Sequence, residues 1–142
     1  MKQIKEVLDS KGRDVLSIAP DTSIYEAVTL MAERGVGALL VMEGDRLVGL
    51  VGERDCAWKV ILEDRSPRET DVKQIMAKNI LCVKPEQTVE EGMALMTDKR
   101  IRHLPVVNGD RVEGIISIGD LVKAIIADQQ FVIEQLEHYV TS

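Results

Sequence analysis

The feature that most constrains this chain is that it repeats itself. Residues 15–61 align with residues 80–126 without a gap at a constant offset of 65, and 13 of the 47 pairs are identical. Random pairing at ordinary composition gives roughly three. The identities include Pro20/Pro85, Glu26/Glu91, Leu30/Leu95, Met31/Met96, Gly44/Gly109, Asp45/Asp110, Gly49/Gly114 and Asp55/Asp120. Most other pairs are conservative, such as Ile24/Val89 and Val36/Ile101. A fold for this chain must therefore be built from two copies of one unit.

Each copy reads as β-α-β-β-α. A short strand (Leu16–Ile18; Leu81–Val83) precedes a capping pattern, Ser23-x-x-Glu26 and Thr88-x-x-Glu91. There a hydroxyl and a carboxylate can satisfy free amides at a helix start. Apolar residues follow at helical spacing: Ile24, Ala27, Val28 and Met31, then Val89, Gly92, Met93 and Met96. Two apolar strands flank a Gly-Asp turn in each copy, Ala38–Met42 with Leu47–Val51 and Leu104–Val107 with Val112–Ile116. Such turns suit tight hairpins. A last helix starts near Asp55 or Asp120. One unit is too small to bury its own sheet, so the two are expected to pack about a pseudo-two-fold axis. The polar stretch Glu63–Thr70, with Pro67, reads as the linker. The leading stretches Ile4–Leu8 and Val72–Met76 also match, and copy one then carries three extra residues in its SKGRD loop. The expected division is repeat one over 1–66, repeat two over 67–128 and a helical tail over 129–142.

Composition closes several function classes. Eighteen basic against 24 acidic residues give a net charge of −6, and 1–65 and 66–142 each hold 9 basic and 12 acidic residues. Nucleic-acid binders displace counterions with a basic excess that this chain lacks, so no nucleic-acid polymer is expected as a partner. No uninterrupted apolar run is long enough for a membrane span. The opening MKQIKEVLDSKGRD has no apolar stretch, so no secretory signal is expected. Cys56 and Cys82 sit in no CxxC, and His103 and His138 lack ligand spacing, so two reduced thiols in a cytoplasmic protein, and no metal site, are expected. With four aromatic residues, Tyr25, Trp58, Phe131 and Tyr139, the core must be aliphatic. No nucleophile–base pair, Walker loop or metal cluster suggests an enzyme.

The duplicated unit, with Arg102-His103-Leu104-Pro105-Val106-Val107 and Gly114-Ile115-Ile116-Ser117-Ile118-Gly119-Asp120, resembles the CBS domain family over about residues 4–128. Two in tandem resemble a Bateman module. GERD (52–55) and IRHLPVV with GIISIGDLVKAI look most like stand-alone bacterial two-CBS proteins and their plant organellar relatives. The resemblance implies a regulatory module, not an enzyme. It implies an adenosine ligand (AMP, ADP, ATP, NAD(H) or S-adenosylmethionine) in clefts between the repeats.

The resemblance also implies which residues serve. The main site would join Ser117 and Asp120, with Arg102 and His103 toward phosphate, to Ile18, Ala27, Val36, Gly37 and Ala38. The second would join Asp55 and Arg54 to Gly92, Ile101 and Leu104. The chemistry is reasonable. A helix N-terminus favours phosphate, and a carboxylate can accept from both ribose hydroxyls. Ser-x-x-Asp is equally an ordinary helix cap. In copy one Gly52 replaces the usual hydroxyl, so two unequal sites are expected. Arg54 reads either as a phosphate contact or as a solvated arginine. Gly92, inside a helix, reads either as a place for an adenine face or as tight packing. His103 reads as a pH-sensitive phosphate contact or as a residue without a role.

Beyond the repeat, Ile125, Val132, Leu136 and Tyr139 fall on one helical face. Such surface reads as an interface or as a tail folded back on its own module, and a homodimer that regulates an unknown partner is the expectation. The alternative is a structural or partner-binding module whose clefts are vestigial.

Overall fold

A computed structural model describes residues 2–141. In chain order the elements are α1 (Ile4–Lys11), β1 (Ser17–Ile18), α2 (Ile24–Arg34), β2 (Ala38–Glu43), β3 (Arg46–Gly52), α3 (Glu53–Leu62), a 3-10 turn at Val72–Gln74, α4 (Val89–Lys99), β4 (His103–Asn108), β5 (Arg111–Ser117) and α5 (Ile118–Thr141). The expected mixed α/β class holds, with two sheets and a C-terminal helix. Two compact units form. One is built on Asp14–Leu81; the other is built on the chain up to Arg13, Cys82–Asn108 and the chain from Glu113 onward. The leading stretch of repeat one thus folds into the unit of repeat two, and that of repeat two folds into the unit of repeat one.

In the first unit, β1 runs parallel to β2, with Ser17 opposite Leu40, and β2 pairs antiparallel with β3. The two-residue turn at Gly44-Asp45 uses a glycine at φ 62°, a backbone state glycine adopts without steric cost. Helix α2 has its first amides satisfied in three ways. Ile24 and Tyr25 donate to the Thr70 and Pro67 carbonyls, each at 2.9 Å, and Glu26 donates to Ser23 Oγ at 3.1 Å. The polar linker is therefore a cap for α2, and its Arg68 guanidinium lies 3.8 Å from the Tyr25 ring centroid. Ile24, Met31, Leu39, Val41, Val51, Cys56 and Val72 form the core.

The second unit repeats this plan with two departures. Strand β4 pairs with β5, but the expected strand at Leu81–Val83 shrinks to one parallel bridge between Val83 and Val106. Proline explains the loss. In the first unit Leu40 N–H donates to Leu16 O, and the residue equivalent to Leu40 is Pro105, which has no N–H. The second departure is at the end of α4. Its counterpart α2 stops at Gly35 (φ 65°), while α4 stops at Arg100 (φ 55°). A side chain held there costs roughly 1 kcal/mol. Ile4, Leu8, Met96, Leu104, Val106, Ile116 and Leu121 dominate this core.

The paired glycines Gly49 and Gly114 mark where the leading stretches dock. A Cβ on Gly49 would overlap Met76 Sδ, and one on Gly114 would stand 3.0 Å from Leu8 Cδ2. Copy one's leading stretch runs on as α1 to Lys11. Copy two's leaves after one 3-10 turn, because Ala77 exchanges backbone hydrogen bonds with Leu50 (2.9 and 3.1 Å). Overpacking of this kind costs typically ~1–3 kcal/mol. Gly49→Ala is accordingly expected to lose that much in urea unfolding, and Met76→Ala in the same chain is expected to relieve part of it. Unchanged stability in Gly49→Ala would contradict this packing.

Candidate functional site

The chemistry-bearing residues gather where a sheet strand ends and a helix begins, once in each unit. In the second unit Ile118, the first residue of α5, donates its N–H to Arg102 O at 2.9 Å. That bond sets Arg102 and His103 beside Ser117–Asp120. Asp120 N–H donates to Ser117 Oγ (3.1 Å), and Ser117 N–H donates to Asp120 Oδ2 (2.8 Å). The motif is thus a reciprocal helix cap in this structure.

A residue that sequence reasoning missed completes the corner. Lys11 Nζ, at the end of α1, donates to Asp120 Oδ2 at 2.6 Å and to Ile115 O at 2.8 Å. Burial pushes the Asp120 carboxyl up, but the hydrogen bonds from Lys11 and from the Ser117 amide outweigh it, and the net shift is below the usual carboxylate range. A lowered carboxylate contributes stability above its unfolded value and loses it as pH falls through the folded one. Asp120 is therefore ionised at neutral pH. Both of its hydrogen bonds fall on Oδ2; Oδ1 accepts none among the described residues. Lys11 lies in the SKGRD stretch where copy one carries extra residues, so the repeat alignment offered no signal for it.

The first unit holds the equivalent corner with less on it. Glu53 N–H donates to Gly37 O at 3.0 Å, the same bond as Ile118 to Arg102. Gly52 caps α3 without a side chain, and the half-buried Asp55 carboxylate makes no hydrogen bond among the described residues. The Arg54 guanidinium stands 5.7 Å from the Trp58 ring centroid, one turn along α3, so Arg54 is an exposed side chain with an aromatic partner. A Cβ on Gly52 would have ordinary contact distances, 3.6 Å to Gly37 O and 3.7 Å to Asp55 Oδ2. A hollow of about 320 Å³ opens beside this corner, lined by Val28, Met31, Ala32, Gly35, Val36, Gly37 and Glu53. Val36 and Gly37 were expected at the main site with Asp120, and here they line a hollow beside the Asp55 corner; Glu53 was not expected at a ligand.

Other expected residues lie deeper. Ala27 and Leu104 have no exposed surface, and Ala38 has 5%. They shape the two cores and offer a ligand no side-chain surface in this conformation. Gly92 is also buried. A Cβ there would stand 3.1 Å from Leu121 Cδ1 and 3.3 Å from Ile4 Cδ1, so the packing reading accounts for it. Ile18 is half-buried, and Ile101 packs partly against the core of the second unit. Cys56 is buried, which pushes its thiol up to about 11, and Cys82 is raised by burial as well. Both are poor nucleophiles at neutral pH. Among the described residues no group of His, Cys, Asp or Glu is arranged to hold a metal ion, and no helix is long and apolar enough to cross a membrane.

Comparison with known proteins identifies the repeated unit. The sequence profile of the CBS domain matches residues 4–61 and 72–127. The structure of a CBS-domain protein from Burkholderia ambifaria superposes with a TM-score of 0.86 at 46% identity, covering 90% of this chain and 96% of that one. The mitochondrial CBS domain-containing protein CBSX3 of Arabidopsis thaliana is 37% identical over 96% of this chain and 71% of its own length. The fold is also that of the CBS domain pair of protein MJ0100, solved with 5'-methylthioadenosine and S-adenosyl-L-methionine, at a TM-score of 0.79 and 22% identity over 90% of this chain and 98% of that one. The two matched spans are the two copies read from the sequence, and the chain belongs to the CBS domain family.

Proposed function

We propose that this protein is a regulatory module of the cytoplasm that binds an adenosine nucleotide and changes a partner's activity through its conformation. The observation that carries this reading is the Ser117–Asp120 corner. An ionised carboxylate whose Oδ1 accepts no hydrogen bond among the described residues stands at the N-terminus of a 24-residue helix, with Arg102 beside it. Oδ1 has two lone pairs for ribose hydroxyls, and the helix start and Arg102 suit a phosphate. The adenosine compounds bound by the MJ0100 pair support the ligand class, and AMP, ADP, ATP or NAD(H) fit the same chemistry. Of the residues expected at the base, Ile18, Val36 and Gly37 are half-buried and keep some surface, and His103 is the candidate for a phosphate. Asp55 and Arg54 make the weaker corner, since Gly52 brings no hydroxyl and Arg54 sits over Trp58. A ligand shifts conformation only by binding one state better than another. The active unit in this reading is a homodimer.

One observation favours a second reading, a structural or partner-binding module. Lys11 and the Ser117 amide already occupy Oδ2 of Asp120. Thermal shifts with AMP, ADP, ATP, NAD⁺, NADH and S-adenosylmethionine separate the two. A ligand present at about 100 times its Kd adds roughly 2.7 kcal/mol of stability. Under the nucleotide reading at least one ligand shifts the melt, Asp120→Ala abolishes the shift, and Asp55→Ala keeps most of it. No shift with any of them leaves the structural reading, and equal loss in both variants sinks the inequality of the corners. Turnover of any nucleotide would overturn the regulatory reading. Gly52→Ser restores the missing hydroxyl where there is room for it. It is expected to stabilise α3 by a few tenths of a kcal/mol and to strengthen binding at the Asp55 corner; calorimetric titration showing no added or tightened binding would contradict that.

A further inference from the structure

Helix α5 is much longer than its unit uses. Leu121 and Ala124 are buried and Ile125 packs partly against the core, but every residue from Ile126 to Val140 is exposed. Ile125 therefore leaves the exposed face expected from sequence. A different stripe runs the length of the helix: Val122, Ile126, Gln129, Ile133, Leu136 and Val140, spaced alternately four and three residues apart. Its five apolar members are between 39% and 81% exposed. A 3.5-residue apolar period is the seam of a two-stranded coil, with β-branched Ile126, Ile133 and Val140 at one heptad position and Val122 and Leu136 at the other.

The seam is self-complementary in one direction. Run antiparallel to a copy of itself about a centre at residue 131, Ile126 meets the partner's Leu136, Val122 meets the partner's Val140, and Gln129 meets the partner's Ile133. One flanking row then pairs Val132 with the partner's Val132. On the other flank Lys123 faces the partner's Glu137 twice, once at each end, and Gln130 faces the partner's Gln130. A parallel pair would instead set Lys123 against the partner's Ile118 and Glu137 against the partner's Val132, burying charge against apolar side chains. We infer that α5 joins two copies of this chain as an antiparallel coiled coil centred near residue 131, held in register by Lys123 and Glu137. This deepens the homodimer of the reading above and does not depend on a nucleotide.

The test uses the full chain carrying Cys82→Ser. Antiparallel pairing brings Ile126→Cys of one copy to Leu136→Cys of the other, while two copies of either variant hold their thiols about 15 Å apart along the coil, beyond disulfide reach. Oxidation of the mixed variants is expected to give a linked heterodimer, and oxidation of either alone to give none. In light scattering and sedimentation, Lys123→Glu is expected to weaken the dimer about tenfold or more, and Lys123→Glu with Glu137→Lys to recover it to within roughly threefold. Each single cysteine variant linking to itself would overturn the antiparallel register. A dimer that survives Leu136→Asp, an exposed position outside the core, would overturn the coil while leaving the homodimer standing. A wild-type monomer would overturn both.

Discussion

Both corners of this protein rest on one backbone hydrogen bond, made twice. Glu53 N–H to Gly37 O and Ile118 N–H to Arg102 O tie the segment leaving one helix to the first residue of the next. A helix start has amides to spare, and each of these bonds spends the first one on a carbonyl of the adjoining strand edge. The aspartate two residues on is thereby fixed beside the residues that enter β2 or β4. Identity at Asp55 and Asp120 survives the divergence of the repeats, while the residues around them differ. The second corner carries a serine and the Lys11 ammonium; the first has Gly52 and opens onto a hollow. One scaffold bond therefore serves two chemically unequal corners.

A second constraint is the exchange of leading stretches. Ile4 and Leu8 are core residues of the unit that carries repeat two, and Val72 and Ile75 are core residues of the unit that carries repeat one. The small residues Gly49 and Gly114 leave the space these stretches fill. The exchange also shapes the Asp120 corner. It carries Lys11 from the opening of the chain to Asp120, where its hydrogen bond offsets the burial that pushes the carboxyl up.

Much of this was legible in the sequence, because an ungapped repeat states every local signal twice. The hairpins at Gly44-Asp45 and Gly109-Asp110, the caps Ser23 and Thr88, and the strand-to-helix corners all followed from pattern. What pattern could not supply was long-range. Whether Gly92 faces a ligand or Leu121 depends on where α5 lies. Lys11 pairs with a residue 109 positions away, and its stretch has no repeat partner for comparison. Pro105 was visible, but its effect appeared only when the strand at Leu81–Val83 lost the donor that Leu40 supplies in copy one. The α5 seam was hidden for a related reason. Choosing between neighbouring apolar stripes requires knowing that Ile125 belongs to the core.

In the proposed function the two corners are unequal, and the one at Asp120 binds first. Amide NMR of the labelled protein titrated with AMP reports on both at once. The account predicts that the Ser117–Asp120 amides shift and saturate at lower AMP than those of Gly52–Asp55. Shifts that rise in step at the two corners, or that spare the Ser117–Asp120 amides, would contradict it.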